Sequence, residues 1–298
     1  MTKSISVLIP CYNSKCKGLV ATLQRQLNKE YETDNIFRYE IIVADDGSDR
    51  NDVIEYNRQI NMLPHCRYVI RGKNVGRAAI RNFLTKEAAY DNLLFLDCDI
   101  TVANDLFIRN YITAESNVVV GGLEIGGDST LLCNNIRYLY EKASEKAHNA
   151  CNRAKAEHKE FRTTNFMISR QLAKQFPFNE NIKWYGYEDV MMGKELAAEN
   201  VHIEHIDNPV ILDDYEDNAT FMAKTEEAMH TLKEFEDELK EYSTLLHYYD
   251  IFRKYHLTPI LYAIYITFGN IIKNNLTGNN PNLFLFNLYK LMYFISLQ

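Results

Sequence analysis

Residues 92–100 are Asn-Leu-Leu-Phe-Leu-Asp-Cys-Asp-Ile, an apolar run that leads directly into two carboxylates. The run shows no alternation of apolar and polar residues, which predicts a strand buried on both faces of a sheet. In open α/β sheets, ligands bind in the crevice beyond the carboxyl ends of the strands. We therefore expect a binding site where this strand ends, at Asp97 and Asp99.

The spacing of Asp97 and Asp99 bears on what that site binds. Because they are two residues apart, both side chains point to the same side of an extended backbone. Two hard oxygen ligands at one site suit Mg²⁺ or Mn²⁺, with phosphate oxygens completing the coordination shell. The residues alone leave a second interpretation open, a strand that ends in a polar turn, because Asp is common in turns.

Three further apolar runs precede residue 92, and segments with helical spacing separate them. The runs occupy residues 4–10, 39–44 and 67–70, and the second leads into Asp45 and Asp46. Strands that alternate with helices in this way predict a doubly wound α/β sheet.

The pattern after residue 100 is more helical. Residues 135–161 are predicted to form a helix rich in Lys and Arg, and residues 202–212 a strand. Residues 220–249 are predicted to form one long amphipathic helix, whose apolar stripe packs in a core.

The composition, the charge and the cysteines indicate the class of protein and its location. The chain has 298 residues, 46% hydrophobic and 24% charged, which is ordinary for a globular protein. A net charge of -7 gives no reason to expect a nucleic-acid partner. The six cysteines show no metal-ligand spacing and the first residues form no apolar signal segment, so we expect a reducing, cytoplasmic location.

Five short motifs are informative as an ordered set. They are residues 7–13 (Val-Leu-Ile-Pro-Cys-Tyr-Asn), 43–48 (Val-Ala-Asp-Asp-Gly-Ser), 74–76 (Asn-Val-Gly) with Arg81 and Asn82, 97–99 (Asp-Cys-Asp), and 187–189 (Tyr-Glu-Asp). In this order they resemble family-2 glycosyltransferases of the GT-A fold, over roughly residues 4–240. Residues 178–180 and 184–189 are also similar to the acceptor-side segment of bacterial capsule, lipopolysaccharide and chondroitin-type polymerising enzymes.

The resemblance implies an α/β fold, with a GT-A, Rossmann-like nucleotide-binding sheet, an acceptor-side region and a helical C-terminal extension. It implies a catalytic domain at residues 1–218 and the extension at residues 219–298. It further implies an inverting enzyme that moves a hexosyl or N-acetylhexosaminyl group from a UDP-sugar. The acceptor would be a saccharide or a lipid-linked saccharide in bacterial cell-surface polysaccharide synthesis.

The family's roles on the donor side transfer residue by residue. The resemblance implies that Tyr12 lies against the base. It implies that Asp46 accepts a hydrogen bond from the uracil N3–H, which suits an acceptor-only carboxylate. A basic residue of the third motif, Arg77 or Arg81, would face the nucleotide. The donor-binding set is completed by Pro10, by Cys98 and by Asp97, which would meet the ribose and the sugar.

On the acceptor side, the resemblance implies that Asp189 is the catalytic base and that Glu188 holds acceptor or donor hydroxyls. The acceptor-binding set is Trp184, Tyr185, Gly186 and Tyr187. Its aromatic members offer flat apolar faces to a sugar ring, and its glycine lets the loop come close. The competing interpretation of the acid pair is that it only caps a helix, whose start favours carboxylates.

The resemblance assigns the metal, Mn²⁺ or Mg²⁺, to Asp99, where it would neutralise charge on the departing diphosphate. Many family members carry a metal-binding His shortly after the last strand, and this chain has Leu212 near that position. Asp213 or Asp214 could stand in for it, since a carboxylate suits a hard cation. The alternative is a metal held by Asp99, phosphates and water alone.

Two functions of other classes compete with this interpretation. Residues 96–101 also resemble the first motif of haloacid-dehalogenase-like phosphohydrolases, in which the first Asp is a nucleophile. That motif usually lies on the first strand of a chain, whereas three predicted strands precede it here. The departure at Leu212 leaves a non-catalytic sugar-nucleotide-binding protein as the other alternative.

Residues 257–272 and 283–297 are dense in Leu, Ile, Phe and Tyr, with lysines spaced among them. No apolar run reaches the roughly 18 residues of a membrane-spanning helix. We predict that these segments rest in a bilayer interface, peripherally at the inner face of the membrane. The alternatives are that they fold back onto the catalytic domain or form the face of a homodimer.

Overall fold

The apolar run that begins at residue 92 forms a buried strand, as predicted. The computed structural model describes residues 4–34 and 36–297, and these residues form nine strands. The strands are β1 (Ser4–Cys11), β2 (Arg38–Asp45), β3 (Cys66–Ile70), β4 (Asn92–Leu96), β5 (Val118–Val120), β6 (Leu123–Ile125), β7 (Asn165–Ser169), β8 (Glu204–His205) and β9 (Val210–Leu212). Residues 1–3, which belong to the start considered above for a signal segment, lie outside the described part.

Seven of these strands form one sheet in the order β3-β2-β1-β4-β7-β5-β8. Strand β1 lies between β2 and β4 and pairs in parallel with both. Strand β7 is antiparallel to β4 and to β5, so the strand direction reverses there. Because the carboxyl ends of parallel strands meet at one edge, the residues that follow β1, β2 and β4 share the same edge of the sheet.

Strand β4 lies between two apolar clusters. Leu94 and Leu96 belong to one cluster, and Leu93 and Phe95 belong to the other. All four side chains are at most 1% exposed. Alternate residues of a strand point to opposite faces, so both faces of the sheet are covered here, and the predicted α/β architecture is confirmed.

Helices fill the intervals between the strands and most of the chain after residue 215. The described part of the chain contains thirteen α-helices: α1 (Lys17–Thr33), α2 (Asn51–Arg58), α3 (Arg77–Glu87), α4 (Phe107–Thr113), α5 (Ile136–Ser144), α6 (Ala150–Arg153), α7 (Arg170–Gln175), α8 (Glu188–Ala198), α9 (Asn218–Glu234), α10 (Glu236–Leu239), α11 (Thr244–Lys254), α12 (Thr258–Thr277) and α13 (Leu283–Ser296).

Three predicted elements are wrong in their extent. The helix predicted at residues 135–161 ends at Ser144, and α6 begins after Asn149, whose side chain caps it. The helix predicted at 220–249 is divided into α9, α10 and α11, with Ser243 capping the last. A cap side chain that accepts from a backbone N–H starts a new helix, which apolar periodicity does not register. The strand predicted at 202–212 is two short strands, β8 and β9.

The chain divides into two compact units. The first unit contains the seven-stranded sheet and consists of Met1–Gly126, Ala147–Glu180 and Met192–Asp214. The second unit consists of Gly127–Lys146, Asn181–Met191 and Tyr215–Gln298. The boundary predicted between residues 218 and 219 separates a catalytic domain from an extension by function, and it stays a prediction.

The second unit is helical and has its own apolar core. Met222, Met229 and Leu232 of α9 are buried in that core together with Leu239 and Leu246, so the predicted stripe does pack inside. Helices α12 and α13 pack against each other and against α9. Within residues 4–34 and 36–297, no helix combines the length and the hydropathy needed to cross a membrane.

Candidate active site

Three predicted donor-binding residues follow adjacent parallel strands and are called the donor edge here: Tyr12, Asp46 and Asp97. They come directly after β1, β2 and β4. Since β1 lies between the other two strands, the three residues share one edge of the sheet. The Tyr12 side chain is 47% exposed, so its ring can stack on a flat ligand. Pro10 lies within β1 and is half-buried.

Asp46 is buried, and its carboxylate binds the loop before α3. One carboxylate oxygen accepts from the backbone N–H of Val75 and the other from the N–H of Gly76, each at 3.0 Å. Burial raises the pKa of Asp46 above its ordinary value, while the two N–H groups oppose that rise. The second and third motifs of the sequence are therefore joined by this side chain.

Gly47 brings the same two segments into close backbone contact. Its φ is 75°, and a Cβ at this position would lie 2.5 Å from the carbonyl carbon of Lys73. That distance is a collision, so a larger residue would push the loop before α3 away from Asp46. Packing within the protein thus explains the Asp-Gly pair at residues 46 and 47.

Arg81 and Arg77, the two candidates for a nucleotide-facing cation, lie in different environments. Arg81 is 2% exposed, donates to Asp97 at 2.9 Å and lies over the Phe178 ring at 5.6 Å. Arg77 is exposed at the first position of α3. Arg81 therefore fixes the carboxylate of the donor edge from below the surface, and Arg77 is the cation exposed to solvent.

Asn82 is a residue whose role the sequence reasoning missed. Its amide nitrogen donates to the carbonyl of Phe178 at 2.9 Å and to Glu180 at 2.8 Å, and its amide oxygen accepts from the Phe178 N–H. Asn82 thereby ties the loop after α7 to α3, which carries Arg81. The only signal in the sequence was its place beside Arg81 in the third motif.

Cys98, between the two acids, is hydrogen-bonded to Cys11 at the end of β1. This hydrogen bond and burial raise the pKa of the Cys98 thiol well above its ordinary value. The hydrogen bond with Cys16 is the largest of several causes that raise the pKa of Cys11. Both thiols are therefore protonated at neutral pH, and Cys98 acts as a neutral packing group rather than a nucleophile.

The segment after β4 pairs with β9, and this pairing concerns the predicted metal ligands. Thr101 and Ile211 exchange backbone hydrogen bonds at 2.8 Å, and the Thr101 hydroxyl donates to Asp213 at 3.0 Å. Leu212, where the family carries a His, is buried and paired with Ile125. Asp213 therefore lies beside the segment that carries Asp99, and its carboxylate is a donor of the type that Mg²⁺ and Mn²⁺ prefer.

No group of three or more His, Cys, Asp and Glu residues close enough to hold a metal occurs in the described part of the chain. A site built from one or two carboxylates leaves most of the coordination shell to phosphate oxygens and water. The residues fit that kind of site, in which the metal is bound together with the diphosphate.

The predicted acceptor-binding residues belong to the second unit, and residues 184–187 are called the acceptor loop here. Gly186 and Tyr187 have φ values of 90° and 67°, so the loop turns through two left-handed residues. A non-glycine residue in this conformation is uncommon and is strained. The Thr231 hydroxyl donates to the Tyr185 carbonyl at 3.0 Å, and burial raises the pKa of Tyr187. The turn is thus held by α9.

The acceptor loop ends where α8 begins, at Glu188, as predicted. Glu188 is buried, and the Asp189 carboxylate accepts from the Val190 N–H at 2.8 Å. Carboxylates in the first turn are favoured by the helix dipole, so both the capping and the catalytic interpretation fit this position. The role of base at Asp189 stays a prediction.

Trp184 has partners that sequence reasoning could not identify. Its side chain is 53% exposed, and its ring lies 5.7 Å from the ring of His230 at an interplanar angle of 34°. The imidazole of His230 is held in place, because it shares a hydrogen bond of 3.2 Å with the hydroxyl of Tyr293. Nothing in the sequence links residues so far apart along the chain.

Two named relatives match part of the chain. A chondroitin synthase of Escherichia coli is 36% identical over 123 residues, which are 40% of this chain and 17% of that protein. An N-acetylglucosaminyltransferase of Sinorhizobium fredii is 30% identical over 107 residues, which are 36% of this chain and 25% of that protein. The chain therefore matches only a minor part of each relative's length.

A solved structure gives a longer match. The crystal structure of Staphylococcus aureus TarS 1–349 in complex with UDP-GlcNAc superposes on 99% of this chain and 90% of its own, with a TM-score of 0.52 and 16% sequence identity. At this identity the similarity concerns the fold, and the GT-A fold implied by the ordered motifs is confirmed.

The match to a family model is the most direct of these comparisons. The model described as glycosyl transferase family 2 matches residues 6–176, which is more than half of the chain. The matched region includes the whole donor edge, Arg81 and Asn82. The chain belongs to glycosyl transferase family 2.

Proposed function

We propose that this protein is an inverting glycosyltransferase that moves a sugar from a UDP-sugar to a saccharide or lipid-linked acceptor, with a divalent metal assisting. The product would belong to a cell-surface polysaccharide, as the named chondroitin synthase relative suggests. The observation that carries the proposal is the donor edge, where Tyr12, Asp46 and Asp97 follow three adjacent parallel strands. A sugar nucleotide presents a flat base, a ribose and a charged diphosphate to such an edge.

Recognition of uracil is assigned to Tyr12 and Asp46. The exposed Tyr12 ring stacks on the base. Each Asp46 oxygen already accepts one backbone N–H and retains a second lone-pair direction, so the carboxylate can also accept from the uracil N3–H. Guanine would present an acceptor or a different donor pattern at that place, which favours a uridine donor.

Asp97 is assigned to the ribose and the transferred sugar. Arg81 bonds one oxygen of its carboxylate at 2.9 Å from a buried position, which fixes the orientation of the group. A carboxylate held in this way accepts from sugar hydroxyls without first losing conformational freedom.

Asp99, with Asp213 beside its segment, would hold Mn²⁺ or Mg²⁺. The bound metal would supply charge neutralisation at the diphosphate as it leaves. We assign the exposed Arg77 at the start of α3 as a protein group that adds positive charge for the nucleotide.

The chemical step needs a base, and we assign that role to Asp189. The acceptor hydroxyl oxygen forms a bond to the anomeric carbon while the bond to the diphosphate oxygen breaks, and UDP leaves. The hydroxyl proton passes to the Asp189 carboxylate. Attack from the side opposite the leaving group inverts the anomeric centre. Glu188, buried one residue earlier, is assigned to hydroxyls of the substrates.

Acceptor binding is assigned to the acceptor loop. Its exposed indole, Trp184, is backed by the imidazole of His230, and Tyr185 lies under the ammonium group of Lys224 at 5.8 Å. Flat aromatic faces suit the apolar faces of pyranose rings. This assignment supports a saccharide rather than a small alcohol as the acceptor.

The proposal is tested by measuring UDP release from a panel of UDP-sugars with Mn²⁺, with and without oligosaccharide acceptors. We expect acceptor-dependent UDP release that is lost in Asp97→Asn and kept in Asp91→Asn, an exposed aspartate before β4. Release of inorganic phosphate from phosphosugars would favour the phosphohydrolase instead. Tight UDP binding without turnover of any sugar in the panel would favour the non-catalytic alternative.

A further inference from the structure

The C-terminal helices carry an unusual share of exposed apolar side chains. Nineteen large apolar residues are exposed in the described part of the chain, and ten of them lie between residues 248 and 284. Six of these ten are called the apolar surface here: Tyr255, Ile260, Tyr262, Ile266, Phe268 and Ile271. Exposed apolar groups concentrated in this way mark an interaction site.

Helix α12 accounts for most of this surface. It buries only a narrow stripe, formed by Leu261, Gly269, Ile272 and Leu276. Ile260 and Ile271 lie on one side of that stripe and are 56% and 64% exposed, and Ile266 lies on the other side at 64%. A helix that only completed the core of the second unit would carry polar residues at these positions.

The charge of the same segment narrows the choice of partner. Residues 251–298 contain four Lys or Arg residues and no Asp or Glu, in a chain whose net charge is -7. Lys254 is exposed at the end of α11, next to Tyr255. Arg253 pairs with Asp250 and Lys273 pairs with Glu226, each at 2.7 Å. Asp250 and Glu226 thus neutralise two of the four cations, and Lys254 and Lys290 carry the remaining positive charge of a segment that itself contains no carboxylate.

We infer that the apolar surface docks onto an anionic lipid bilayer, with α12 lying in the interface plane. Apolar side chains enter the boundary between head groups and acyl chains, and tyrosines and lysines stay at head-group level. The length and hydropathy of α12 agree with this, since it does not qualify as a spanning helix. The inference stands independently of the proposed glycosyl transfer, because it rests on surface residues at the end of α11 and on α12 alone.

The test is flotation of the full chain with vesicles. Vesicles of phosphatidylcholine alone are compared with vesicles that also contain phosphatidylglycerol. We expect binding to the anionic vesicles that falls at high salt, because attraction to anionic lipid is screened. The variant Ile260→Gln/Ile266→Gln/Ile271→Gln should lower the fraction bound by at least about tenfold.

Two matched variants serve as controls. Ile36→Gln/Met62→Gln/Leu131→Gln changes three apolar residues that lie elsewhere and are together more exposed, and this variant should float like the wild type. Lys254→Glu should weaken binding to anionic vesicles, whereas Lys86→Glu at the exposed end of α3 should not.

Three outcomes would overturn the inference. One is absence of binding to both kinds of vesicle, and another is equal flotation of the triple variant and the wild type. The third is a wild-type dimer in sedimentation that the triple variant converts to monomer without any vesicle binding. That result would assign the apolar surface to a second copy of the chain.

Discussion

The donor edge and the acceptor loop are built in different ways. At the donor edge, Asp46 and Gly47 lock one motif against the next through backbone contacts of the first unit. In the second unit, the acceptor loop is held by side chains of α9, which lies more than thirty residues further along the chain, such as Thr231, whose hydroxyl donates to the Tyr185 carbonyl. The family match covers residues 6–176 and so includes the donor edge but not the acceptor loop.

This difference agrees with the ligands that we assign. The uridine diphosphate group is the same in every UDP-sugar. A rigid site formed by backbone groups and buried charges therefore suits it. An acceptor varies in linkage and length, so exposed aromatic side chains on a loop suit it better. The comparison predicts that variants of the first unit change donor affinity, whereas variants of the second unit change acceptor-dependent turnover.

The largest effect is expected for the base. Asp189→Asn keeps the size of the side chain and removes its basicity, so it should lower kcat by at least about 10²-fold. The affinity for the UDP-sugar, measured by calorimetry, should change little, because the donor edge is untouched. Glu188→Gln is the matched control and should have the smaller effect. If the two variants exchange their effects, the pair has been assigned in the wrong order.

The next effect is expected at Asp46. Loss of a hydrogen bond to a buried charged group, together with the release of the Val75 and Gly76 N–H groups, should weaken UDP binding in Asp46→Ala by roughly 10- to 100-fold. Calorimetry with UDP measures it, and Asp52→Ala on the exposed surface of α2 is the control. Tighter binding of GDP than of UDP would contradict the assignment of uracil.

The raised pKa of Asp46 predicts how the affinity for UDP changes with pH. Only the carboxylate can accept from two N–H groups and from uracil, and burial raises its pKa above the ordinary value. UDP affinity should therefore decline on the acid side at a higher pH than an exposed aspartate would give. An affinity that stays constant down to the ordinary aspartate range would argue against this role.

A smaller effect separates the two candidate stand-ins for the missing His. Asp213→Asn should raise the Mn²⁺ concentration needed for half-maximal donor binding by about fivefold, since a carboxylate oxygen is lost beside the Asp99 segment. Asp214→Asn, one residue further along the chain, should leave it unchanged. Equal behaviour of the two variants would favour a metal held by Asp99, phosphates and water.

The smallest effect is expected for His230, whose ring packs against the Trp184 ring. Removal of the imidazole in His230→Ala should raise KM for the acceptor by about threefold and leave KM for the donor unchanged. His247→Ala, whose ring contacts Tyr248 instead, is the control. Because the chain has one tryptophan, its fluorescence reports acceptor binding at Trp184 directly. A matching rise in the donor KM would remove the distinction between the two regions.

The sequence predicted the strands of the first unit up to residue 96 well because their signals are local. The unalternated run at residues 92–96 required burial on both faces, and β1, β2 and β4 ended in residues to which a chemical role could be assigned. Burial of Arg81 and the clamp formed by Asn82 could not be predicted, because both depend on Phe178, almost a hundred residues further along the chain.

The second unit was harder to predict for a physical reason. The apolar stripe that passes through Met229, Leu239 and Leu246 continues across two helix ends, so periodicity alone indicates one helix. Ser243 was the local signal that a new helix begins, since its hydroxyl accepts from the Leu246 N–H. The partners of Trp184 carry no such local signal.

The antiparallel strand β7 affects how the chain folds while it is being synthesised. Until residues 165–169 leave the ribosome, β4 has an unpaired edge, and the earlier strand β5 lacks both of its partners, β7 and β8. Open edges recruit other chains, and pairings distant in sequence form slowly. A nascent chain that stalls before residue 165 therefore exposes two aggregation-prone strands, and completion of β7 is the step of synthesis that removes the hazard at β4.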